Sequence, residues 1–230
     1  MNEKIERFER LPSTQEYARE KRGEGRDLTV VARSQTGGQG TKGRSFSSEL
    51  GGVYLSKLTF YESFPAKDAF KIMANAAVAV CETLRFYGLN PVIKWANDVF
   101  VNDKKICGIL IENVFSGSRL ASSLVGIGLN VNNSLPSELS SIATTMQKEA
   151  GREFSVDEVT ARLIEELGKE REIFEYISSV GYMGREAALI LGEERVRATL
   201  LSVDERGGLL VKIDGEERRL TAAEVSIRFV

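Results

Sequence analysis

The sequence predicts an α+β fold, a mixed or antiparallel sheet backed by helices with a small all-β unit after it. Three observations carry this. Alternating or β-branched runs recur at 28–34, 53–60, 92–101, 105–115 and 121–132. Two long stretches, 66–87 and the one opened by FSVDEV at 154, place apolar residues at helical spacing. After Gly181 the pattern changes to short strands with glycine turns, the size of a small barrel. The expected division is 1–181 and 182–230.

In chain order, Ile5 to Leu11 alternates weakly and reads as a strand. Ser13 and Glu16 stand in capping-box register and start a short helix over STQEYAREKR. LTVVARS (28–34) is a strand, and GGQGTKGR (37–44) is a glycine loop. VYLSKLTF (53–60) alternates cleanly, as a half-buried strand does. Phe70, Met73, Ala74, Ala77, Val78, Cys81 and Leu84 mark a helix that Gly88-Leu89-Asn90-Pro91 ends. VIKWANDVFV (92–101), KICGILIENVF (105–115) and ASSLVGIGLNVN (121–132) are three β segments joined by the hairpin-like turns NDK and SGS. Ser155 and Glu158 cap a second long helix that runs to about Ser178. The closing strands are RVRATLLSVD, LLVKID and RRLTAAEVSIRF.

Composition limits the function classes. The 230 residues carry 31 basic and 33 acidic side chains, a net charge of −2, so no global basic excess points to nucleic acid. No apolar run approaches the ~18 residues that span a bilayer. MNEKIERFERLPST is charged before any apolar run and predicts no signal peptide. Cys81 and Cys107 lack CxxC spacing and read as reduced core thiols of a cytoplasmic protein. Histidine is absent, which excludes Ser–His–Asp triads, Cys–His pairs and His-ligated zinc. Any catalysis must use Lys, Arg, Asp, backbone N–H groups or a metal held by oxygen.

Gly38, Gly40 and Gly43 satisfy GxGxxG, but the loop runs into RSFSSELGG and then a strand. The dinucleotide fingerprint needs a helix there, so that reading fails on context. The triphosphate loop fails too, because Lys42 precedes Gly43.

QTGGQGTKGRSF, KWANDVFVNDKKICGILIE and GIGLNVN, in this order and spacing, resemble biotin–protein ligases. The opening STQE and the closing AEVSIR resemble that family's first and last motifs, so the resemblance covers essentially the whole chain. It implies a class II synthetase-like ligase core with an SH3-like C-terminal barrel, in a monofunctional form without the DNA-binding domain of the family's repressors. It also implies the reaction. Biotin and ATP, with Mg²⁺, give biotinyl-5′-AMP, and the biotinyl group then passes to one lysine of a biotin carboxyl carrier protein or a carboxylase or decarboxylase carrier domain. No nucleic-acid or membrane partner is expected; a homodimer is left open. The alternatives are lipoate or octanoate attachment, whose histidine-bearing motif is absent, and an inactive biotin or adenylate binder.

Attack of a carboxylate on the α-phosphate brings two anions together, so the site must be cationic and rich in N–H donors. By resemblance, Lys105 contacts the biotin carboxyl and the phosphate, with Lys94 and Arg44 beside it; Lys104 reads as solvated. Alternation places Lys105, Cys107, Ile109 and Ile111 on one face. Asp98 either helps hold Mg²⁺ or orients and deprotonates the carrier lysine, whose pKa of ~10.4 makes neutralisation costly at pH 7. Ser13, Thr14, Gln15 and Gln35 are implied for the ureido ring, Ser13 doubling as a helix cap. Gly38, Gln39, Gly40, Thr41, Gly108, Gly126 and Gly128 complete the biotin side, the last two letting a strand lie flat against ligand. Lys42, Gly43, Arg44, Phe46, Asn97, Asn130 and Arg228 are implied for the nucleotide. Gln39 and Thr41 stand where the family pattern commonly has arginine, and Ala96 replaces a proline. Loss of arginine at 41 predicts weaker retention of the adenylate.

Overall fold

The computed structural model describes residues 4–222 and 225–228, apart from the side chains of Lys42, Ser226 and Arg228. Seven strands, β1 (Lys4–Leu11), β2 (Leu28–Gln35), β3 (Val53–Pro65), β4 (Val92–Lys94), β5 (Asp98–Val101), β6 (Lys104–Ser116) and β7 (Arg119–Leu129), form one sheet in the order β1-β2-β3-β7-β6-β5-β4. β1 and β2 run parallel and every other neighbouring pair is antiparallel, so the sheet is mixed as expected. The two hairpins expected at NDK and SGS form. Asn102 and Asp103 adopt φ of 48° and 60°, and Gly117 adopts φ of 60°.

Residues 92–101 are two short strands rather than one. Lys94 pairs with Asp98 across a turn at 95–97. That turn buries Trp95, whose indole N–H donates to Gly207 O at 3.0 Å. The peptide between Trp95 and Ala96 is cis.

Helix α1 (Thr14–Glu20) starts at Ser13, whose hydroxyl accepts from the Glu16 N–H as the capping pattern predicts. It covers β2, β3 and β7 on one face of the sheet. The other face carries α2 (Phe70–Phe86), packed against α4 (Val156–Leu167) and α5 (Ile173–Ser179), with the short α3 (Met146–Ala150) ahead of them. Because both faces are covered, Val53, Tyr54, Leu55 and Ser56 are all buried, where alternation alone predicts a half-buried strand.

The long helix expected from Ser155 to Ser178 is α4 and α5, interrupted at 168–172. Gly168 caps the end of α4, and buried Glu166 anchors the segment that follows. It pairs with Arg162 at 2.5 Å, with Lys169 at 2.7 Å and with Arg171, and Arg171 also donates to Glu166 O at 2.6 Å. Burial pushes the Glu166 carboxyl up, but the three cations win and hold it below its ordinary value. Arg171 reaches back to this carboxylate only because the chain leaves the helix.

The C-terminal strands β8 (Glu186–Leu191), β9 (Glu194–Val203), β10 (Leu209–Ile213), β11 (Glu216–Leu220) and β12 (Val225–Arg228) form an antiparallel sheet in the order β11-β10-β9-β8-β12, the small SH3-like unit expected. β8, EAALIL, escaped the sequence reading. The unit's buried Leu189, Leu200, Leu209 and Val211 share one apolar core with the helices of the main sheet. Gly207 anchors the contact. Its φ of 78° suits glycine, and an added Cβ would collide with the Phe70 ring.

Candidate active site

A cleft of about 570 Å³ opens on the α1 side of the main sheet. It lies between the N-terminus of α1, the loop at 37–48, strands β3, β6 and β7, and the segment at 133–145. This volume suits a small-molecule site.

The floor is set by a β-bulge. Asp98 pairs with Gly108 and Val99 with Cys107, but Phe100 pairs with Lys105, so Ile106 has no partner in β5. Ile106 and Cys107 are both fully buried in the core, while Lys105 and Gly108 both face the cleft. The expectation that Lys105 shares a face with Cys107, Ile109 and Ile111 is therefore corrected: the extra residue turns the lysine to the opposite side.

Lys105 Nζ lies 2.6 Å from Asp98 Oδ1, with both side chains partly exposed to the cleft. Asp98 is aimed by the turn before it. Asn97 donates from Nδ2 to Ile109 O at 2.8 Å, and its own carbonyl accepts from the Ile109 N–H at 2.9 Å. Lys94 lines the same wall, its Nζ 5.0 Å from the centre of the Phe100 ring.

The segment after β7 closes onto Lys105. The Lys105 N–H donates to Ile142 O and the Thr144 N–H donates to Lys105 O, each at 2.9 Å. Asn130 holds this cover in place by donating to Thr144 O at 3.1 Å and accepting from Asn133 Nδ2 at 3.2 Å. Leu135, Leu139, Ile142 and Ala143 thereby join the cleft wall. Sequence reasoning missed them; the available signal was a set of apolar residues in an otherwise polar stretch just after GLNVN.

The wall contributed by α1 is a connected polar network. Gln35 Oε1 accepts from the Thr14 N–H at 2.7 Å and the Thr14 hydroxyl at 3.1 Å. Ser56 Oγ lies 2.9 Å from Thr14 Oγ1 and 3.1 Å from Gln15 Oε1. Gln15 donates to Glu112 at 3.0 Å, and Glu112 is bridged by Arg19 Nε at 2.9 Å and Nη2 at 2.6 Å. Bonding to Arg19 holds the Glu112 carboxyl below its ordinary value. Ser13, buried at the head of α1, lines the cleft while capping the helix.

The glycine loop is a small hairpin. Gln39 bridges Ser45, the Gly40 N–H donates to Arg44 O at 2.7 Å, and the Phe46 N–H donates to Gly38 O at 2.8 Å. Gly38 is needed there, because a Cβ would collide with Phe46 O and Ser48 Oγ. Gly38 and Gly43 shape the hairpin, while Gln39, Gly40, Thr41, Arg44 and Phe46 line the cleft. Arg44 folds onto Thr41, donating to its carbonyl at 3.2 Å and its hydroxyl at 2.9 Å. The glycine surfaces expected to lie open are covered. The Phe46 ring rests over Gly108 and Gly128, 2.5–2.9 Å from where a Gly128 Cβ would be, and Gln15 rests over Gly126. The side chains of Lys42 and Arg228 lie outside the described residues.

Among the described residues no three His, Cys, Asp or Glu side chains cluster as a metal cage. Asp98 and Asp103 are the carboxylates at the cleft, a donor set that fits a magnesium ion carried on a triphosphate, which takes one or two carboxylate oxygens. Burial pushes the Cys81 thiol up to about 12 and the Cys107 thiol up as well, so neither is a nucleophile at neutral pH.

Fold and cleft together define a ligase core, and the chain belongs to the biotin/lipoate A/B protein ligase family, whose model matches residues 7–130. It is similar to the bifunctional ligase/repressor BirA of Bacillus subtilis, with 30% identity over 215 residues, 86% of this chain and 65% of the relative. It is also similar to BirA of Escherichia coli, with 29% identity over 233 residues, 95% of this chain and 72% of the relative. Among solved structures, a mutant of the biotin protein ligase from Aquifex aeolicus in complex with biotin superposes with a TM-score of 0.82 at 27% identity, each chain covered fully. The same enzyme with biotin and ATP gives 0.79 at 29% identity, again over the full length of both. No helix among the described residues is long and apolar enough to cross a membrane.

Proposed function

We propose that this chain is a biotin–protein ligase that joins biotin to ATP in the cleft and passes the biotinyl group to one lysine of a biotin carboxyl carrier protein or carrier domain. The observation that carries the reading is the Lys105–Asp98 pair, which lines the same cleft as the polar α1 wall and the glycine hairpin. Support comes from the likeness to a ligase bound to biotin and ATP. Lys105 neutralises the biotin carboxylate and the α-phosphate as they approach, an electrostatic task that needs no covalent enzyme intermediate. Arg44 and the N–H groups of the glycine hairpin take phosphate charge, and Thr14 and Gln35 offer the hydroxyl and amide that a ureido ring requires. Leu139, Ile142 and Ala143 give the adenine an apolar cover. Mg²⁺, brought on the triphosphate and held by Asp98, would neutralise the leaving pyrophosphate.

Once the adenylate has formed, Asp98 takes the proton of the incoming carrier lysine as its amine displaces AMP. In the same reading residues 1–181 carry the chemistry and 182–230 brace the 95–97 turn through the Trp95–Gly207 bond. The test is isotope exchange between labelled pyrophosphate and ATP. Biotin-dependent exchange followed by label on a carrier domain supports the reading. Exchange with lipoate alone assigns lipoate attachment, and biotin binding without exchange assigns an inactive binder.

A further inference from the structure

Arg19 lies outside every motif that carries the family resemblance, yet from α1 it bonds both to β6 and to the glycine hairpin. Its guanidinium holds Glu112 of β6 at 2.6 and 2.9 Å, and Glu112 holds Gln15 at the head of α1. The same Nη2 donates to Gln39 Oε1 at 3.3 Å. Gln39 is the neck of the glycine hairpin, bridged to Ser45, with Gly40 to Arg44 enclosed between them. Position 39 is also one of the two places in the hairpin where the family pattern commonly has arginine and this chain does not. An arginine there would meet the Arg19 guanidinium, with Glu112 the carboxylate between the two. The amide of Gln39 instead accepts a hydrogen bond from a cation that is already anchored.

We propose that Arg19 is a positioning residue, a latch that fixes the neck of the glycine hairpin to α1 and β6 and so slows escape of the bound adenylate. The idea rests on the ligase reading, and its first test does not. Amide hydrogen exchange over 38–46 in the unliganded protein should quicken about three- to tenfold in Arg19→Met, the loss expected of one partly exposed charge-assisted bond. Met keeps the apolar stem of the arginine. Unchanged exchange over 38–46, or exchange raised equally along all strands of the sheet, overturns the latch.

The second test reads function. Release of biotinyl-adenylate, timed by filter binding, should speed up by a similar factor in Arg19→Met. Gln39→Glu, which offers Arg19 a charged acceptor, should slow release in the Arg19 background and lose that effect in Arg19→Met. Equal effects of Gln39→Glu in both backgrounds overturn the coupling. Wild-type protein that shows no biotin-dependent exchange fails the ligase reading instead, while the hydrogen-exchange result still decides the latch.

Discussion

Lys105 and Asp98 face each other across neighbouring strands at 2.6 Å, the lysine brought there by a bulge and the aspartate by the turn at 95–97. Each is held by its own backbone pairing, so either side chain can leave the other for a ligand without disturbing the sheet. Lys105→Ala should therefore leave the melting temperature within a few degrees of wild type. It should lower biotin-dependent pyrophosphate exchange by roughly ten- to a hundredfold, the worth of one charge-assisted contact of ~1.5–3 kcal/mol. Asp98→Asn should depress transfer to the carrier more than it depresses exchange. Single-turnover measurements of the two half-reactions check this, and equal losses in both would count against Asp98 as the proton acceptor.

Gly128→Ala places a methyl group 2.5–2.9 Å from ring atoms of Phe46, at the far end of a side chain that can swing away. The expected outcome is a modest fall in stability and at least a tenfold weaker binding of biotin, because the displaced ring and the methyl both intrude on the cleft. Calorimetric titration with biotin reads it directly. Phe46→Ala in the same background should recover part of the loss.

Thr41→Arg restores a cation to the hairpin and removes the hydroxyl that receives Arg44. Release of the adenylate should slow by about tenfold, the value of one added phosphate contact. An unchanged release rate would show that arginine at this position is dispensable in this chain.

The Glu112 carboxyl is held below its ordinary value by Arg19, which sets a pH signature. A depressed folded-state pKa stabilises the protein fully above the unfolded value of ~4.3, and the gain is lost as pH falls through the folded pKa. Glu112→Gln should thus melt below wild type at pH 7. The two should converge on acidification below about pH 4. Thermal melts between neutrality and acid check the convergence.

Gly207→Ala should be strongly destabilising. Its φ of 78° disfavours a side chain and the Cβ would strike the Phe70 ring, so a loss of about 2–4 kcal/mol is expected. Trp95→Phe, which removes the indole donor to Gly207 O together with part of a buried ring, should cost about 1–3 kcal/mol. Urea titrations separate the two.

Much of this was legible in the sequence. Periodicity found β2, β3, β6 and β7 close to their observed positions, and the Ser13 and Ser155 caps placed two helix starts correctly. The cleft residues on α1, the glycine hairpin and β5 to β7 were found because their motifs are local. What escaped depends on partners distant in sequence. The break before α5 is held by Arg171 reaching back to Glu166, and the turn at 95–97 by a tryptophan reaching Gly207. The cover at 133–145 shows its place only when it pairs with Lys105. Arg19 stands on an ordinary short helix, with nothing in its neighbours to reveal Glu112 or Gln39.

The unpaired Ile106 makes the three-residue step from Lys105 to Gly108 a matter of phase. In an unbroken pleat two residues three apart look in opposite directions; here they look the same way. A single-codon deletion of Ile106 would restore the regular pleat and leave Lys105 and Gly108 two residues apart, so the ammonium group would keep its side while every reactive side chain remained in the gene product. Such a protein would lose the local kink and yet present its key cation in the same direction, whereas one further residue inserted there without a compensating bulge would invert it.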